Sequence, residues 1–221
     1  MNTIIKLNGI NRTYQTGKIR NHVLTNFSWE FQEGGFSILA GPSGSGKSTL
    51  LNILATLDSP DSGEYLFDNK AVQFNNDKSL IELRKCNFGF VFQSFNLIPV
   101  LTALENVELP LTLFPYKPKE QKEMAEHVLE IVGLKHRMHQ KPGEMSGGEQ
   151  QRVAIARAIV NRPRIILADE PTANLDQRNA ELIITLMKEL NEKEKMNFII
   201  ASHDSKVISS GKEVVRIGGQ A

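Results

Sequence analysis

One nine-residue stretch constrains this chain more than any other. Gly41-Pro-Ser-Gly-Ser-Gly46-Lys47-Ser48-Thr49 matches G-x-x-x-x-G-K-[S/T], the pattern of a phosphate-binding loop. Its glycines let the backbone curl until successive N–H groups face one anion. Lys47 can reach the β- and γ-phosphates of a nucleotide, and Ser48 can offer its hydroxyl to Mg2+. The flanks fit the same chemistry. Phe36–Ala40 is an apolar run broken only by Ser37, which predicts a buried strand. Leu50, Leu51, Ile53, Leu54 and Leu57 recur at helical spacing and predict a helix over Lys47–Leu57. A helix opening there turns its positive end toward the anion.

The rest of the chain supplies elements that such a loop can be built on. Thr3–Leu7 reads as a short strand. Val23, Thr25, Phe27, Trp29 and Phe31 alternate with more polar neighbours, as a half-buried strand does. Glu64–Phe67 and Phe88–Phe92 are further strand candidates. Helical patterns then dominate, at Ala103–Leu113, Lys119–Ile131 and Gly148–Ile159, punctuated by Pro99, Pro110, Pro115, Pro118 and Pro142. Alternation resumes with a strand at Arg164–Ala168 and a helix at Asn179–Leu190, whose Leu182, Ile183, Leu186, Met187 and Leu190 form one side. Strands at Asn197–Ala201 and Val214–Ile217 complete it. Alternating strands and helices with apolar strand cores imply an α/β protein whose parallel sheet is covered on both faces. The helical middle reads as an insertion. The expectation is one compact unit over 1–221 with a helical subdomain at approximately 95–160.

Ligands in open parallel sheets bind outside the carboxyl ends of the strands. Arg164–Ala168 runs into Asp169 and Glu170. A nucleotide-hydrolysing site needs an Asp at such a strand end to hold Mg2+ and a group to position the attacking water. Asp169 fits the first role and Glu170 the second. Phe88–Phe92 ends at Gln93, and Asn197–Ala201 leads to Ser202, His203 and Asp204. Gln93 and His203 therefore join the candidate site. His22, His127, His136 and His139 have no such placement, and Lys135–Lys141 reads as a solvated basic run. Met145-Ser146-Gly147-Gly148-Glu149-Gln150-Gln151-Arg152 opens another helix at Ser146, Gly147 and Gly148, a second potential anion site. One phosphate loop needs one such site, so the second suggests a nucleotide bound to a partner subunit.

Composition narrows the function classes. The 221 residues carry 26 Lys and Arg against 25 Asp and Glu, a net charge of +1, so no basic bias points to nucleic acid. Hydrophobic residues make up 40% and charged residues 23%, an ordinary globular balance that excludes a disordered chain. The N-terminus lacks the apolar core of a secretory signal. No run approaches the ~20 apolar residues that span a bilayer. The single cysteine, Cys86, is expected to be a small packed residue of a reducing compartment.

Together these residues resemble the ATP-binding-cassette ATPases over nearly the whole chain. GPSGSGKST resembles that family's Walker A, MSGGEQQR its signature motif, and IILADE its Walker B with the catalytic glutamate. Gln93 matches the Q-loop, His203 the switch histidine, Ala173–Asp176 the D-loop, and Tyr14 the aromatic residue that stacks on adenine. Met145 and Glu149 depart from the commoner Leu and Gln of the signature. The resemblance implies a P-loop NTPase fold: a RecA-like parallel sheet core, an N-terminal antiparallel β subdomain and an inserted α-helical subdomain. It implies ATP and Mg2+ as cofactors. ATP would be bound by Tyr14, Gly41, Pro42, Ser43, Gly44, Ser45, Gly46, Lys47, Ser48, Thr49 and Asp169. Mg2+ would be held by Ser48, Gln93 and Asp169, with Glu170, His203 and Gln93 acting catalytically. It further implies a head-to-tail homodimer in which Ser146, Gly147 and Gly148 meet the partner's γ-phosphate. The resemblance is greatest to the group serving macrolide export, lipoprotein release and antimicrobial-peptide transport. In that group a separate membrane permease docks beside the Q-loop, which places the cassette on the inner face of the cell membrane. Phe95, Leu97, Ile98, Pro99 and Leu101 would supply that surface or else pack within the helical subdomain. Two alternatives remain from the sequence. One is a partner of a membrane complex that transmits force without transport; the other is a soluble cassette ATPase.

Overall fold

The structure, a computed structural model, describes residues 2–17 and 19–218. The chain divides into two compact units, Met1–Arg84 with Ile199–Ala221, and Lys85–Phe198.

In the first unit, β1 (Thr3–Thr16) lies between β2 (Ile19–Gln32) and β4 (Ser62–Phe67), with β5 (Lys70–Ala71) at the edge. All pairings in this sheet are antiparallel, with Leu7 opposite both Trp29 and Tyr65. β1 extends well beyond the short strand expected at Thr3–Leu7. The apolar pattern ends early because the register shifts between Leu7 and Ile10, where Gly9 takes a left-handed backbone. Ile4, Ile5, Leu7, Ile10, Phe31 and Tyr65 are buried on this sheet.

β3 (Phe36–Ala40) is buried throughout and pairs in parallel with β9 (Glu213–Arg216). The polar interruption Ser37 is satisfied there: its hydroxyl donates to Glu213 Oε2 at 2.5 Å, and the Trp29 indole donates to Glu213 Oε1 at 3.2 Å. The helix after the loop, α1 (Lys47–Leu54), buries Leu50, Leu51, Ile53 and Leu54. It stops short of the expected Leu57, which is 55% exposed, because Thr56 turns left-handed at φ 55.

Helix α2 (Asp77–Asn87) buries only Leu80, and its apolar residues Leu80, Ile81 and Leu83 span a single turn, too short a repeat to announce it. Cys86 lies exposed on this helix, so the expectation of a packed thiol is corrected. A helix with so narrow an apolar face leaves most of its side chains to solvent.

In the second unit, β6 (Phe88–Val91) pairs in parallel with β7 (Ile165–Asp169), from Phe88 opposite Ile165 to Val91 opposite Ala168. Around them lie α3 (Ala103–Glu108), α4 (Pro118–Ile131), α5 (Gly147–Ile159) and α6 (Gln177–Lys193); α3, α4 and α5 pack on one another. Fully buried β8 (Asn197–Ser202) begins in this unit and continues into the first, to which α7 (Ser205–Ser209) belongs. The helix expected over Ala103–Leu113 tightens to a 3₁₀ turn at Leu109–Leu113, since Pro110 has no N–H for the α-helical ladder. Pro118 instead occupies the first turn of α4, where a missing N–H costs nothing. On α6, Ile183, Met187 and Leu190 are buried, but Leu182 is 47% exposed and lies off the packed side. No described helix is long and apolar enough to cross a membrane.

Two residues show how tightly this unit is built. Gly89 on β6 faces the backbone carbonyl of Ala158 on α5 so closely that a Cβ would overlap it. Asn106 on α3 is wholly buried and holds the preceding loop. Its Oδ1 accepts from Ile98 N–H at 2.8 Å, and its Nδ2 donates to the carbonyls of Thr102, Ile98 and Leu101 at 2.9, 3.2 and 3.2 Å. Asn106→Ala leaves these backbone groups without their partner. It is expected to lower unfolding free energy by about 2–3 kcal/mol, measurable as a lower midpoint in urea. A midpoint equal to wild type would show that the loop re-satisfies itself.

Candidate functional site

The first unit carries the phosphate loop. Gly44 and Gly46 adopt φ 78 and 101, left-handed values that other residues reach only at a cost. A Cβ on Gly46 would lie 2.7 Å from Val23 Cγ1 and one on Gly41 would meet the carbonyl of Ile217, so the loop is tight as well as curled. Lys47 is 6% exposed, and its ammonium donates to the carbonyls of Gly41 and Pro42 at 2.8 and 2.9 Å. The loop's own carbonyls thus keep a buried cation in place. Ser45 is half-buried, and its Oγ has no hydrogen-bond partner.

The start of α1 differs from those of α3, α5 and α6. No side chain caps it and no acid occupies its first turn. Thr102, Ser146 and Asp176 each cap their helices through a side-chain oxygen. A helix start without a side-chain cap, beside a buried ammonium, makes a site for an anion. Ser48 and Pro42 to Gly44 are exposed at this loop, and Thr49 is half-buried. Sequence inspection missed the contribution of the C-terminal segment. Ile217 N–H bonds Ala40 O at 2.8 Å, and a Cβ on left-handed Gly218 would lie 2.7 Å from Ser45 Cβ. No local motif marks that segment.

Tyr14, half-exposed on β1, is fixed in orientation. Its hydroxyl donates to Asp58 Oδ2 at 2.6 Å, and the Arg12 guanidinium lies 4.7 Å from the ring centre. Arg12 in turn pairs with Asp58 at 2.6 Å and Asp61 at 2.9 Å. A held aromatic ring suits stacking on a flat heterocycle, at roughly 1–3 kcal/mol per base. His203 follows buried Ser202 and is exposed.

The second unit carries the acids. Asp169 ends β7, and Glu170 follows with φ 45, a left-handed conformation uncommon outside glycine. Gln93, just beyond β6, is exposed, and its backbone carbonyl accepts from Asn174 Nδ2 at 3.0 Å. Gln151, wholly buried on α5, donates to the carbonyl of Pro171 at 2.7 Å. The turn after Glu170 is therefore tied to the residue after β6 and to α5.

Ser146, Gly147 and Gly148 open α5 as expected, but this end is less bare than the sequence suggested. Ser146 Oγ accepts from Glu149 N–H at 3.3 Å. In return, the Glu149 carboxylate accepts from Ser146 N–H and Oγ, both at 2.8 Å. The second Glu149 oxygen faces Arg137 Nε at 3.3 Å. The two bonds from Ser146 hold the Glu149 carboxyl below the usual carboxylate range. The glycines have a packing reason too. A Cβ on Gly148 would fall 2.5 Å from Asn179 Oδ1, and one on Gly147 would sit 3.4 Å from Leu175 Cδ2 and 3.7 Å from Phe95 Cζ. The second unit thus assembles Gln93, the start of α5 and the 173–176 turn in one place.

The donor chemistry fits the expected ligands. The glycine cradle, the uncapped α1 and buried Lys47 fit a polyphosphate. The hydroxyl of Ser48, the carboxylate of Asp169 and the amide oxygen of Gln93 are hard oxygen donors of the kind Mg2+ takes.

Lowered carboxyl groups give a signed pH dependence. Glu149 and Asp176, the latter held down by Asn179 N–H, stabilise the fold while ionised. That stabilisation is present above their unfolded pKa values and is lost as pH falls through the folded ones. The melting temperature should fall on acidification below the ordinary carboxylate range. Glu149→Gln, which can keep the reciprocal cap without titrating, should lose less; an unchanged acid loss would remove Glu149 from the account.

The chain is similar to known proteins over nearly its whole length. Residues 24–173 match the ABC transporter family. An ABC transporter ATP-binding protein of Thermotoga maritima is 45% identical over 98% of this chain and 92% of its own length. The ABC transporter ATP-binding protein YvrO of Bacillus subtilis is 46% identical over 97% and 93%. Among solved structures, the ATP-binding cassette MJ0796 of Methanocaldococcus jannaschii, a dimer in a post-hydrolysis state bound to ADP and Pi, matches with a TM-score of 0.87. That match has 43% identity and covers 97% of this chain and 94% of the solved one. The likeness bears out the α/β cassette ATPase fold read from the sequence. With half its length and more inside the family match, and relatives this similar from end to end, the chain belongs to the ABC transporter family of ATP-binding proteins.

Proposed function

We propose that this chain is the ATP-hydrolysing subunit of an ABC transporter, working as a head-to-tail homodimer on a separate membrane permease. The observation that carries the reading is the uncapped start of α1 beside buried Lys47, in a chain of this family. The loop from Gly41 to Thr49 grips the phosphates through backbone N–H groups and the Lys47 ammonium, and Tyr14 stacks on the adenine. Ser48, Asp169 and Gln93 would hold Mg2+, which when bound would neutralise charge developing on the phosphates. Glu170 orients the attacking water and accepts its proton, and His203 contacts the transferred phosphate. Ser146, Gly147 and Gly148 close over the nucleotide of the partner subunit. The dimeric, ADP- and Pi-bound state of MJ0796 supports this arrangement.

The permease reading rests on the family and on the surface around Ile98. Ile98 is 36% and Val100 72% exposed, and Pro99 is exposed too, whereas Phe95, Leu97 and Leu101 are half-buried. The exposed members are the ones available to a membrane subunit, which would place the chain at the inner face of the membrane.

Glu170→Gln should bind ATP, dimerise stably and hydrolyse at least about a hundredfold more slowly. Wild-type turnover would remove Glu170 from its role. Adding Ser146→Arg to that variant should abolish ATP-dependent dimerisation in analytical ultracentrifugation while leaving ATP binding by the single chain intact. Undiminished dimer would overturn the head-to-tail arrangement.

A further inference from the structure

We propose that Arg157 and Asn174 are positioning residues for Gln93, setting where its side chain stands without touching nucleotide themselves. The inference rests on the reading that Gln93 serves the nucleotide. Two residues beyond Gln93 the backbone enters a costly conformation. Phe95 and Asn96 are consecutive left-handed residues, φ 61 and 50, and neither is glycine. Such backbone persists only where its surroundings over-determine it, and it concentrates at functional sites.

Arg157 supplies the determination. From near the C-terminal end of α5 it donates NH2 to Phe95 O at 2.8 Å and NH1 to Asn96 O at 2.5 Å. The planar fork thereby fixes two successive carbonyls at once, a geometry lysine cannot reproduce. Burial disfavours the charge on Arg157, so the two carbonyls stand in for lost water. The Phe95 ring tip reaches within van der Waals range of the space beside Gly147. The start and the end of α5 thus both bear on the turn after Gln93.

Asn174 holds the other side. Its Nδ2 donates to Gln93 O at 3.0 Å. It sits in the turn directly after Glu170, where Ala173 N–H bonds Glu170 O at 3.2 Å and Leu175 N–H bonds Thr172 O at 3.1 Å. The Gln93–Asn96 backbone is therefore suspended between α5 and the turn that follows Glu170. A shift of either element is passed to Gln93 through these three bonds.

The test is a double-mutant cycle on ATP hydrolysis by the full chain. Arg157→Lys and Asn174→Ala should each lower kcat about tenfold, because a small misplacement of a reacting group is costly. KM for ATP and ATP binding by the single chain should stay within about twofold, since the phosphate loop is untouched. Combined with Gln93→Ala, each should add less than about a further twofold, as expected of residues acting through one group. Wild-type kcat in both variants overturns the proposal, and so do losses that multiply fully with that of Gln93→Ala. Asn174 is exposed, so Asn174→Ala keeps the test intact if Arg157→Lys melts early. If Gln93→Ala itself retains full kcat, the role of Gln93 fails, a result distinct from failure of the clamp alone.

Discussion

The ammonium of Lys47, held by the carbonyls of Gly41 and Pro42, is the constraint on which the rest of the phosphate site depends. A buried cation must be paired or hydrogen-bonded, and here its partners are backbone oxygens of the loop it belongs to. Those carbonyls point inward only if the chain between them and Lys47 curls left-handed, which fixes glycine at Gly44 and Gly46. The curl also needs a rigid entrance and exit. Fully buried β3 supplies one, and α1, with Leu50, Ile53 and Leu54 buried, supplies the other. The sequence of apolar strand, glycines, lysine and apolar helix is thus one physical requirement spread over some twenty positions.

That requirement made the central site readable from residues alone. Loop, strand and helix appeared as three independent signals at adjacent positions, and Phe36–Ala40 proved to be the strand to the residue. Asp169 and Glu170 stood out because an apolar strand runs into two adjacent acids at the carboxyl end, where an open parallel sheet binds ligands. What escaped was structure with little apolar signal. The apolar residues of α2 are confined to the single turn Leu80–Leu83, and β1 continues past Leu7 on mostly polar residues because pairing with β2 on one side and β4 on the other replaces the need for hydrophobic alternation. Helix ends escaped too. Leu57 and Leu182 keep helical spacing yet lie exposed, since periodicity marks a face and says nothing of where backbone or packing stops. Cys86 was misjudged because burial statistics for cysteine yield to the element that carries it.

Polar groups within the second unit form another layer that residue type alone does not reveal. Asn106, Gln151, Arg157 and Asn174 each bond backbone carbonyls of loops rather than other side chains. Loops lack a ladder of their own, so their carbonyls need partners from elsewhere. Placing those partners on α3, α5 and the 173–176 turn ties the loop geometry to the packed helices. Gly89 and the small residues of α5 allow this by letting helix and strand backbones approach closely.

The helix starts show how stability and binding are traded. Ser146 caps α5 and Asp176 caps α6 internally, and a side-chain cap is typically worth ~1 kcal/mol. α1 forgoes that contribution: Gly46 stands at its cap with no side chain to give. A serine or aspartate there would close the N–H groups on themselves and demand a left-handed backbone of a residue with a Cβ, and aspartate would also add negative charge at an anion site. Binding an anion recovers the missing cap from outside. The folded state is then stabilised as the logarithm of ligand concentration above Kd, while the unfolded chain, which has no curl, gains nothing. The helix start that lacks a side-chain cap beside buried Lys47 is therefore well prepared for a ligand. The start of α5 lies between these extremes. Its N–H groups are partly satisfied by Ser146 and Glu149, while Gly147 and Gly148 keep the backbone bare of side chains, so it holds its own shape without being closed over.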